Sequence, residues 1–241
     1  MKAMIFAAGY GTRLKPLTDN KPKALVNVCG VPMLEILIHK LIRFGFNQLV
    51  INVHHFADQI VEFLEKNNNF GVQIQISDER EFLLDTGGGL KKAAPFLQGS
   101  ESFLVHNVDI LTDLDLNELV KFHQSSNAIA TLAVKNRNTS RNFLFDEQLT
   151  LKGWKNNSTN QVKWVSNPME NYKEIAFSGI HVIKPEMLDL ITENGAFSVV
   201  DLYLRLAGSN KINAFDHSAS QWYDLGTADK IKSIKNIQFS E

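Results

Sequence analysis

The chain has 241 residues, of which 44% are hydrophobic, so it can bury a substantial core and is not expected to be disordered. Its 25 Lys and Arg residues are balanced by 26 Asp and Glu residues, and the formal net charge of −1 offers no basic surface for nucleic acid. Cys29, the single cysteine, excludes an internal disulfide, and the short apolar runs predict no membrane span. We expect a cytoplasmic protein without a signal peptide, because the first strand begins at once.

Strand and helix patterns alternate through the first half. Apolar or alternating runs predict strands at 4–8, 48–53, 72–76 and 102–105. Helical spacing of apolar residues predicts helices between Pro32 and Gly45 and at 57–66, 90–96 and 116–123. The three glycines at 87–89 are expected to precede the third helix. This order predicts a parallel sheet with helices on both faces.

The second half is less regular. Strands are predicted at 128–134, 174–183, 212–215 and 222–224, short strands within 142–165, and helices at 185–191, 199–206 and 228–237. The predicted fold class is α/β: a mostly parallel mixed sheet of Rossmann-like type, with helices on both faces and a smaller second lobe. We expect a single domain over residues 1–241, because no linker, repeat or low-complexity tract divides the chain.

The loop at 9–23 carries the strongest chemical signal. Glycines at 9 and 11 free its backbone, and it contains four cations: Arg13, Lys15, Lys21 and Lys23. A glycine-containing cationic turn after a first parallel strand suits a nucleotide or phosphate, although a basic surface turn remains the plain alternative. Leu14 occupies the third glycine position of the dinucleotide fingerprint, and Pro16 interrupts any helix, so a nicotinamide site is disfavoured. No Gly-Lys-Ser/Thr of a P-loop occurs.

Longer motifs then resemble a known family. The run FAAGYGTRLKPLT at 6–18, followed by KPKAL at 21–25, closely resembles the signature of sugar-1-phosphate nucleotidylyltransferases. The resemblance continues at 85–89 (DTGGG), 107–109 (NVD), 177–180 (FSGI) and 222–227 (WYDLGT), and so covers nearly the whole chain. It is strongest to the short single-domain type, which includes N-acetylmuramate-1-phosphate uridylyltransferases and mannose-1-phosphate guanylyltransferases.

The resemblance implies the nucleotide-diphospho-sugar transferase fold and a reaction. An NTP, UTP or GTP by preference, and a sugar 1-phosphate would give pyrophosphate and an NDP-sugar for cell-wall or polysaccharide synthesis. Residues of about 1–125 would form the nucleotide-binding part and about 126–241 the sugar-binding part. The protein would be a monomer or homodimer that binds neither nucleic acid nor membrane.

The resemblance also assigns the phosphate-binding residues. Arg13 would grip the β- and γ-phosphates and stabilise the leaving pyrophosphate, and Lys23 would reach the α-phosphate and the sugar phosphate; both are the expected catalytic residues. The nucleotide-binding loop would comprise Ala8, Gly9, Gly11 and Thr12. Each role places a positive group where charge grows in the transition state.

Two aspartates are implied as ligands of a Mg²⁺ cofactor. Asp109 follows the fourth strand and Asp224 lies near the carboxyl end, and Mg²⁺ is typically held by one or two carboxylates together with substrate phosphates. The chain departs from the family at Val108, where relatives usually have Gly or Ala. Val108 is expected either to pack into the fold or to narrow or disable the site.

The resemblance is less specific for the base and the sugar. Backbone groups of Asp85 and Thr86 would lie near the base, and the Glu79 side chain stands where relatives often read it. Gly179 would permit close approach of the sugar, whereas Phe177 is equally consistent with plain core. Residues 150–176 lack the Glu-x-Lys-Pro segment whose lysine holds the sugar phosphate in many relatives.

Alternative functions remain open from the sequence. A choline-phosphate cytidylyltransferase shares the opening motif and would use an aromatic cage, to which Trp154 and Trp164 could contribute. A non-catalytic nucleotide-sugar binding protein would follow if Val108 disables the site. Neighbouring His54 and His55 point to opposite faces of a strand, which predicts a structural role rather than a shared metal.

Overall fold

The protein is described by a computed structural model that covers residues 1–99 and 101–234. The strands of the first half are β1 (Lys2–Phe6), β2 (Asn27–Val28), β3 (Val31–Pro32), β4 (Gln48–Val53), β5 (Gln73–Asp78), β6 (Phe103–Asn107) and β7 (Ile110–Thr112). Those of the second half are β8 (Ala130–Lys135), β9 (Arg141–Phe145), β10 (Leu151–Asn156), β11 (Gln161–Trp164), β12 (Lys173–Ile183), β13 (Ile212–Asp216) and β14 (Trp222–Asp224).

Helices fill most of the connections between these strands. They are α1 (Met33–Arg43), α2 (Ala57–Lys66), α3 (Asp85–Leu97), α4 (Leu116–Gln124), α5 (Glu186–Asp189), α6 (Val199–Leu206) and α7 (Ala228–Ser233). Residues 235–237, the end of the last predicted helix, lie outside the described residues. None of the helices within the described ranges is long and apolar enough to cross a membrane.

One large mixed sheet organises the fold. Its strand order is β5–β4–β1–β6–β12–β9–β10–β11, and β8 pairs with both β12 and β13. The pairs β5–β4, β4–β1, β1–β6 and β8–β13 are parallel, whereas β12 runs antiparallel to β6, β8 and β9. The parallel part places the carboxyl ends of β1 and β6 side by side, where ligands bind in open α/β sheets.

The two faces of the sheet carry separate cores. Alternation along β1 sends Ala3 and Ile5 into the first core, with α1, α2 and α4, and sends Met4 and Phe6 into the second, with α3, α5 and α6. Two covered faces explain why the central strands are continuous apolar runs. The predicted fold class, a mixed α/β sheet with helices on both faces, is confirmed.

The start of α3 was predicted wrongly. The helix begins at Asp85 and therefore contains the three glycines that were expected to precede it. A Cβ at Gly87 would lie 2.4 Å from the ring of Phe197, and one at Gly88 would lie 2.4 Å from the Gly195 carbonyl oxygen. Close packing against 195–197 thus requires glycine here, and it outweighs the poor helix propensity of glycine.

Candidate active site

The loop after β1 is built around Gly11. This residue has φ +65°, and a Cβ there would lie 2.9 Å from Cβ of Lys23 and 3.0 Å from Cγ2 of Thr18. The Thr18 hydroxyl donates a hydrogen bond to the Gly11 carbonyl at 2.9 Å, and Leu14 is fully buried beneath the loop. Within the described residues, and apart from its two chain neighbours, no atom lies within 4 Å of a Cβ built at Gly9, so that side of the loop is open to a ligand.

Lys23 joins this loop to the end of β6. Its ammonium group donates a hydrogen bond to the Asp109 carboxylate, and both side chains are largely buried. Lys23 begins a short 3₁₀ turn over Lys23–Leu25, and Asp109 lies in the tight connection between β6 and β7. The contact brings the two residues together from distant parts of the chain.

Asp224 is brought beside Asp109 by the pairing of β14 with β7. Asp224 is opposite Ile110 in the antiparallel register, and the Leu225 N–H donates to the Asp109 carbonyl at 2.8 Å. The Asp224 carboxylate accepts hydrogen bonds from the Lys230 ammonium at 2.7 Å and the Gly226 N–H at 2.9 Å. Burial alone would raise the pKa of Asp224, but these donors and the Arg13 charge lower it below its usual value.

Arg13 completes the cluster around the two aspartates. A Cβ at Gly226 would lie 2.8 Å from both the Arg13 Nη2 atom and the Asp224 Oδ1 atom, so glycine leaves room for the two groups to approach each other. The predicted residues Arg13, Lys23, Asp109 and Asp224 therefore lie in one region, at the carboxyl ends of β1 and β6.

The two carboxylates fit a small hard cation. Among residues 1–99 and 101–234 no group of three or more His, Cys, Asp or Glu side chains could enclose a metal. Mg²⁺ does not need such a cage, because it usually takes one or two carboxylates and completes its octahedron with water and substrate phosphates. Asp109 and Asp224 supply that donor set, each now paired with a lysine.

The predicted base-binding segment forms the first turn of α3. Asp85 has φ +56°, and its carboxylate accepts the Thr86 N–H at 2.6 Å. The Thr86 hydroxyl accepts the Val199 N–H at 3.0 Å. The Gly87 and Gly88 N–H groups both donate to the Phe197 carbonyl, which occupies donors that a helix start leaves free.

Glu79 lies beneath this segment. It is fully buried, and its two carboxylate oxygens accept hydrogen bonds from the Asn52 amide at 2.8 Å and the Leu84 N–H at 3.1 Å. Burial raises the pKa of Glu79, and the hydrogen bonds oppose this rise. The carboxylate thus connects β4 to the segment before α3. It also lies close to Gly89, where an added Cβ would be 2.8 Å from the Glu79 Oε1 atom.

Gly179 is constrained by its neighbours. It is a buried residue with φ +75°, and a Cβ there would lie 2.6 Å from the Asn107 amide nitrogen and 3.2 Å from Ile110. The glycine therefore lets β12 approach the end of β6. The nearby Phe177 ring packs against Phe143 at 5.9 Å and stacks on His181 at 5.3 Å, which is the core arrangement that was one of its two readings.

The three residues on which the rival functions depend make ordinary packing contacts. The Val108 side chain is buried in the first core, as expected if it packs into the fold. The Trp164 ring meets Tyr172 edge to face at 5.3 Å. The Trp154 ring already has the Lys163 ammonium 5.6 Å from its centroid. No geometry among these described residues favours a cage for a quaternary ammonium group.

Three polar residues near the aspartates were not singled out from the sequence. Asn107 faces Gly179, Lys230 pairs with Asp224, and Arg137 stacks on Trp222. Only Asn107 carried a signal, as the first residue of the NVD motif. The other two depend on tertiary contacts that no local pattern records.

Comparison with known proteins finds a matching family model and curated relatives. A family model described as "Nucleotidyl transferase" matches residues 2–239. The N-acetylmuramate alpha-1-phosphate uridylyltransferase of Neisseria meningitidis is 31% identical over 98% of this chain and 98% of its own length. The UTP–glucose-1-phosphate uridylyltransferase of a Synechocystis strain is 31% identical over 99% of this chain, which spans 66% of that protein.

Solved structures share the fold. A putative glucose-1-phosphate thymidylyltransferase from Bacillus anthracis, crystallised with a sucrose, superposes with a TM-score of 0.79 at 19% identity. The match covers 100% of this chain and 98% of the other. At this identity the likeness supports the arrangement of strands and helices.

Proposed function

This chain belongs to the nucleotidyl transferase family, and we propose that it transfers a nucleoside monophosphate from an NTP to a sugar 1-phosphate. The family predicted from the motifs, the sugar-1-phosphate nucleotidylyltransferases, is confirmed by the same matches. The products would be an NDP-sugar and pyrophosphate. The observation that carries the proposal is the meeting of Arg13, Lys23, Asp109 and Asp224 beside an open glycine loop.

The phosphate loop would bind the NTP. Ala8, Gly9, Gly11 and Thr12 would lie along the phosphates, with backbone N–H groups as donors, because the Gly9 side of the loop is open. Arg13 would bind the β- and γ-phosphates and neutralise the pyrophosphate as it leaves. Lys23, now paired with Asp109, would reach the α-phosphate and the incoming phosphate. Placing these charges before the reaction lowers the cost of charge build-up.

The chemistry is one displacement at phosphorus. An oxygen of the acceptor phosphate attacks the α-phosphorus in line, the bond to the β-phosphate oxygen breaks, and pyrophosphate carries away the electron pair. No side chain needs to form a covalent intermediate. Positioning and charge neutralisation supply most of the acceleration in such transfers.

A divalent cation belongs to this proposal. Asp109 and Asp224 would hold Mg²⁺, since the pairing of β14 with β7 brings the two residues side by side and this ion usually takes one or two carboxylates from a protein. When bound, the ion would orient the phosphates and withdraw negative charge from them. Lys23 and Lys230, which now neutralise the two carboxylates, would then be released toward phosphate oxygens.

The base and sugar would occupy different parts of the chain. Residues of about 1–125 would bind the nucleotide, with Asp85 and Thr86 beside the base and the buried Glu79 holding their segment in place. Residues of about 126–241 would bind the sugar near Gly179. UTP or GTP is the proposed donor. The uridylyltransferase names of the two curated relatives favour UTP.

A pyrophosphate-release screen tests the proposal. The protein is incubated with Mg²⁺ and each of ATP, CTP, GTP, UTP and dTTP, crossed with glucose, mannose and N-acetylmuramate 1-phosphates and with phosphocholine. Release that requires both an NTP and a sugar 1-phosphate supports the proposal. Release with CTP and phosphocholine alone supports the cytidylyltransferase instead, and nucleotide binding without release from any pair supports a non-catalytic binding protein.

A further inference from the structure

Arg137 lies in the connection between β8 and β9 and is partly buried. Its Nη2 atom donates a hydrogen bond to the Phe177 carbonyl of β12 at 3.0 Å. Its guanidinium carbon lies 4.2 Å from the centroid of the Trp222 ring, on β14. The hydrogen bond and the stacking contact fix the plane of the group.

The fixed guanidinium group has unused donors. A guanidinium carries five N–H donors. The Arg137 Nε–H is buried, and nothing in the described part of the chain accepts a hydrogen bond from it. An unpaired buried donor costs free energy, more so on a charged group. Burial lowers the pKa of Arg137, and the negative charge of Asp224 raises it in part. A partly buried cation whose donors are not all paired suits an anionic ligand.

The position of Arg137 relates it to the reacting groups. Trp222 is two residues before Asp224, and its indole N–H donates to the Ser178 carbonyl at 3.0 Å, next to Gly179. Arg13 and Arg137 both act electrostatically on Asp224, one from the loop after β1 and the other from the connection after β8. Lys230 also lies at Asp224, where its ammonium forms an ion pair with the carboxylate at 2.7 Å.

We propose that Arg137 binds the phosphate group of the sugar 1-phosphate acceptor. This inference rests on the proposed function, in which Arg13 binds the NTP and Lys23 is shared between the α-phosphate and the incoming phosphate, while a second phosphate must approach the same two aspartates. With only the shared charge of Lys23, the acceptor phosphate would still be repelled by the triphosphate and by Asp224, so a second cation on its side is needed. The planar fork of the arginine guanidinium matches two phosphate oxygens.

Steady-state kinetics separate this role from a structural one. Arg137→Ala should raise the KM for the sugar 1-phosphate by roughly 10- to 100-fold, as expected for a hydrogen bond to a charged group, and leave the KM for the NTP within about twofold. Arg137→Lys keeps the charge and should recover part of the loss. Arg137→Gln can still donate to Phe177 but lacks the charge, so it should behave like alanine. If Arg137→Gln restores the KM for the sugar 1-phosphate as well as Arg137→Lys does, Arg137 serves only to connect β12 to the segment between β8 and β9.

A matched control is available at Lys163, whose ammonium also lies over a tryptophan, Trp154. Lys163 is on β11, three strands from β12 in the sheet. Lys163→Ala should leave both KM values unchanged. An equal rise in both KM values for Arg137→Ala, or no rise in either, would overturn the proposal.

Binding provides a readout that does not need turnover. In a Trp154→Phe/Trp164→Phe background Trp222 is the only tryptophan, so its emission reports on the ring beneath Arg137. With a non-hydrolysable NTP analogue present, glucose 1-phosphate should change this emission and free glucose should not. The change should vanish in Arg137→Ala. If the change persists in a protein that releases no pyrophosphate with any pair, the phosphate site stands and the proposed reaction falls. An identical change in Arg137→Ala and the parent would refute the site.

Discussion

Lys23 and Asp109 are 86 residues apart in sequence, yet the ammonium group of one donates a hydrogen bond to the carboxylate of the other. The contact joins the loop after β1 to the end of β6, and both side chains are largely screened from solvent. Each charge therefore holds the other in place, and the proposed reaction requires phosphates and a cation to replace this pairing. The catalytic proposal depends on these two residues more than on any others.

Removing either charge should nearly abolish synthesis. Lys23→Ala and Asp109→Asn should each lower the turnover of pyrophosphate release by roughly 10²–10³, the usual cost of one preorganised charge or donor. Initial rates with saturating substrates measure the loss. Lys66→Ala and Asp58→Asn, which alter exposed ion pairs on α2, are the charge-matched controls and should retain wild-type rates. Wild-type-like release from Lys23→Ala would remove lysine from the mechanism.

Asp224→Asn should weaken the response to Mg²⁺. An amide keeps the shape of the side chain and loses its charge, so the Mg²⁺ concentration for half-maximal activity should rise by more than about tenfold, since even outer partners of a metal site cost that much. Direct Mn²⁺ binding, followed by electron paramagnetic resonance, should weaken in parallel. Asp229→Asn, at an exposed position in α7, is the control. Unchanged Mn²⁺ affinity in Asp224→Asn would contradict the ligand assignment.

Gly179→Ala should destabilise the protein more than Gly195→Ala. Both glycines have nearly the same positive φ, +75° and +73°, so each substitution costs about 1–2 kcal/mol of unfolding free energy from backbone strain. Only at Gly179 would the new Cβ meet another group, the Asn107 amide at 2.6 Å, which adds about 1–3 kcal/mol of overpacking. Urea denaturation of the two variants gives the comparison. Equal losses of unfolding free energy in the two variants would show that the Asn107 side chain moves aside at no cost.

Acid should destabilise the fold through buried histidines. Burial is the main cause that lowers the pKa of His106 to about 3, so the folded protein binds fewer protons than the unfolded chain below the ordinary value of 6.5. Its contribution is fully present above pH 6.5 and falls by about 1.4 kcal/mol per pH unit as the pH drops toward 3. His106→Gln should make the slope of unfolding free energy between pH 5.5 and 4 shallower by that amount.

Urea titrations at several pH values measure this slope. His39→Gln, at an exposed position on α1, is the control and should give the wild-type slope. The same slope in His106→Gln as in wild type would mean that His106 is not held neutral in the folded protein.

The loop after β1 could be interpreted from sequence because its parts are adjacent in the chain. Glycines, cations and prolines there act within one short segment, and the structure folds them around Gly11. Asp109 and Asp224 were each identified from motifs. Their proximity, however, comes from the pairing of β7 and β14, two strands of three residues that are too short for a periodic pattern.

Other features could not be predicted because tertiary contacts decide them. The glycines of α3 were placed outside the helix on propensity, whereas packing against 195–197 requires them inside it. Glu79 was expected to read the base. The sequence does not show that its carboxylate is buried and accepts two hydrogen bonds, because both donors come from other segments of the chain. Arg137 lies in no motif, since its importance depends on Trp222 and Phe177.

Label transfer tests the central claim most directly. Wild-type protein is incubated with Mg²⁺, a sugar 1-phosphate and an NTP labelled at the α-phosphorus, and the products are separated. All the transferred label should appear in an NDP-sugar, with one unlabelled pyrophosphate released for each molecule formed, and Lys23→Ala should form roughly 10²–10³ times less in the same time. Label that stays in the NTP, or appears only in the free nucleoside monophosphate, with every sugar 1-phosphate tested would contradict nucleotidyl transfer.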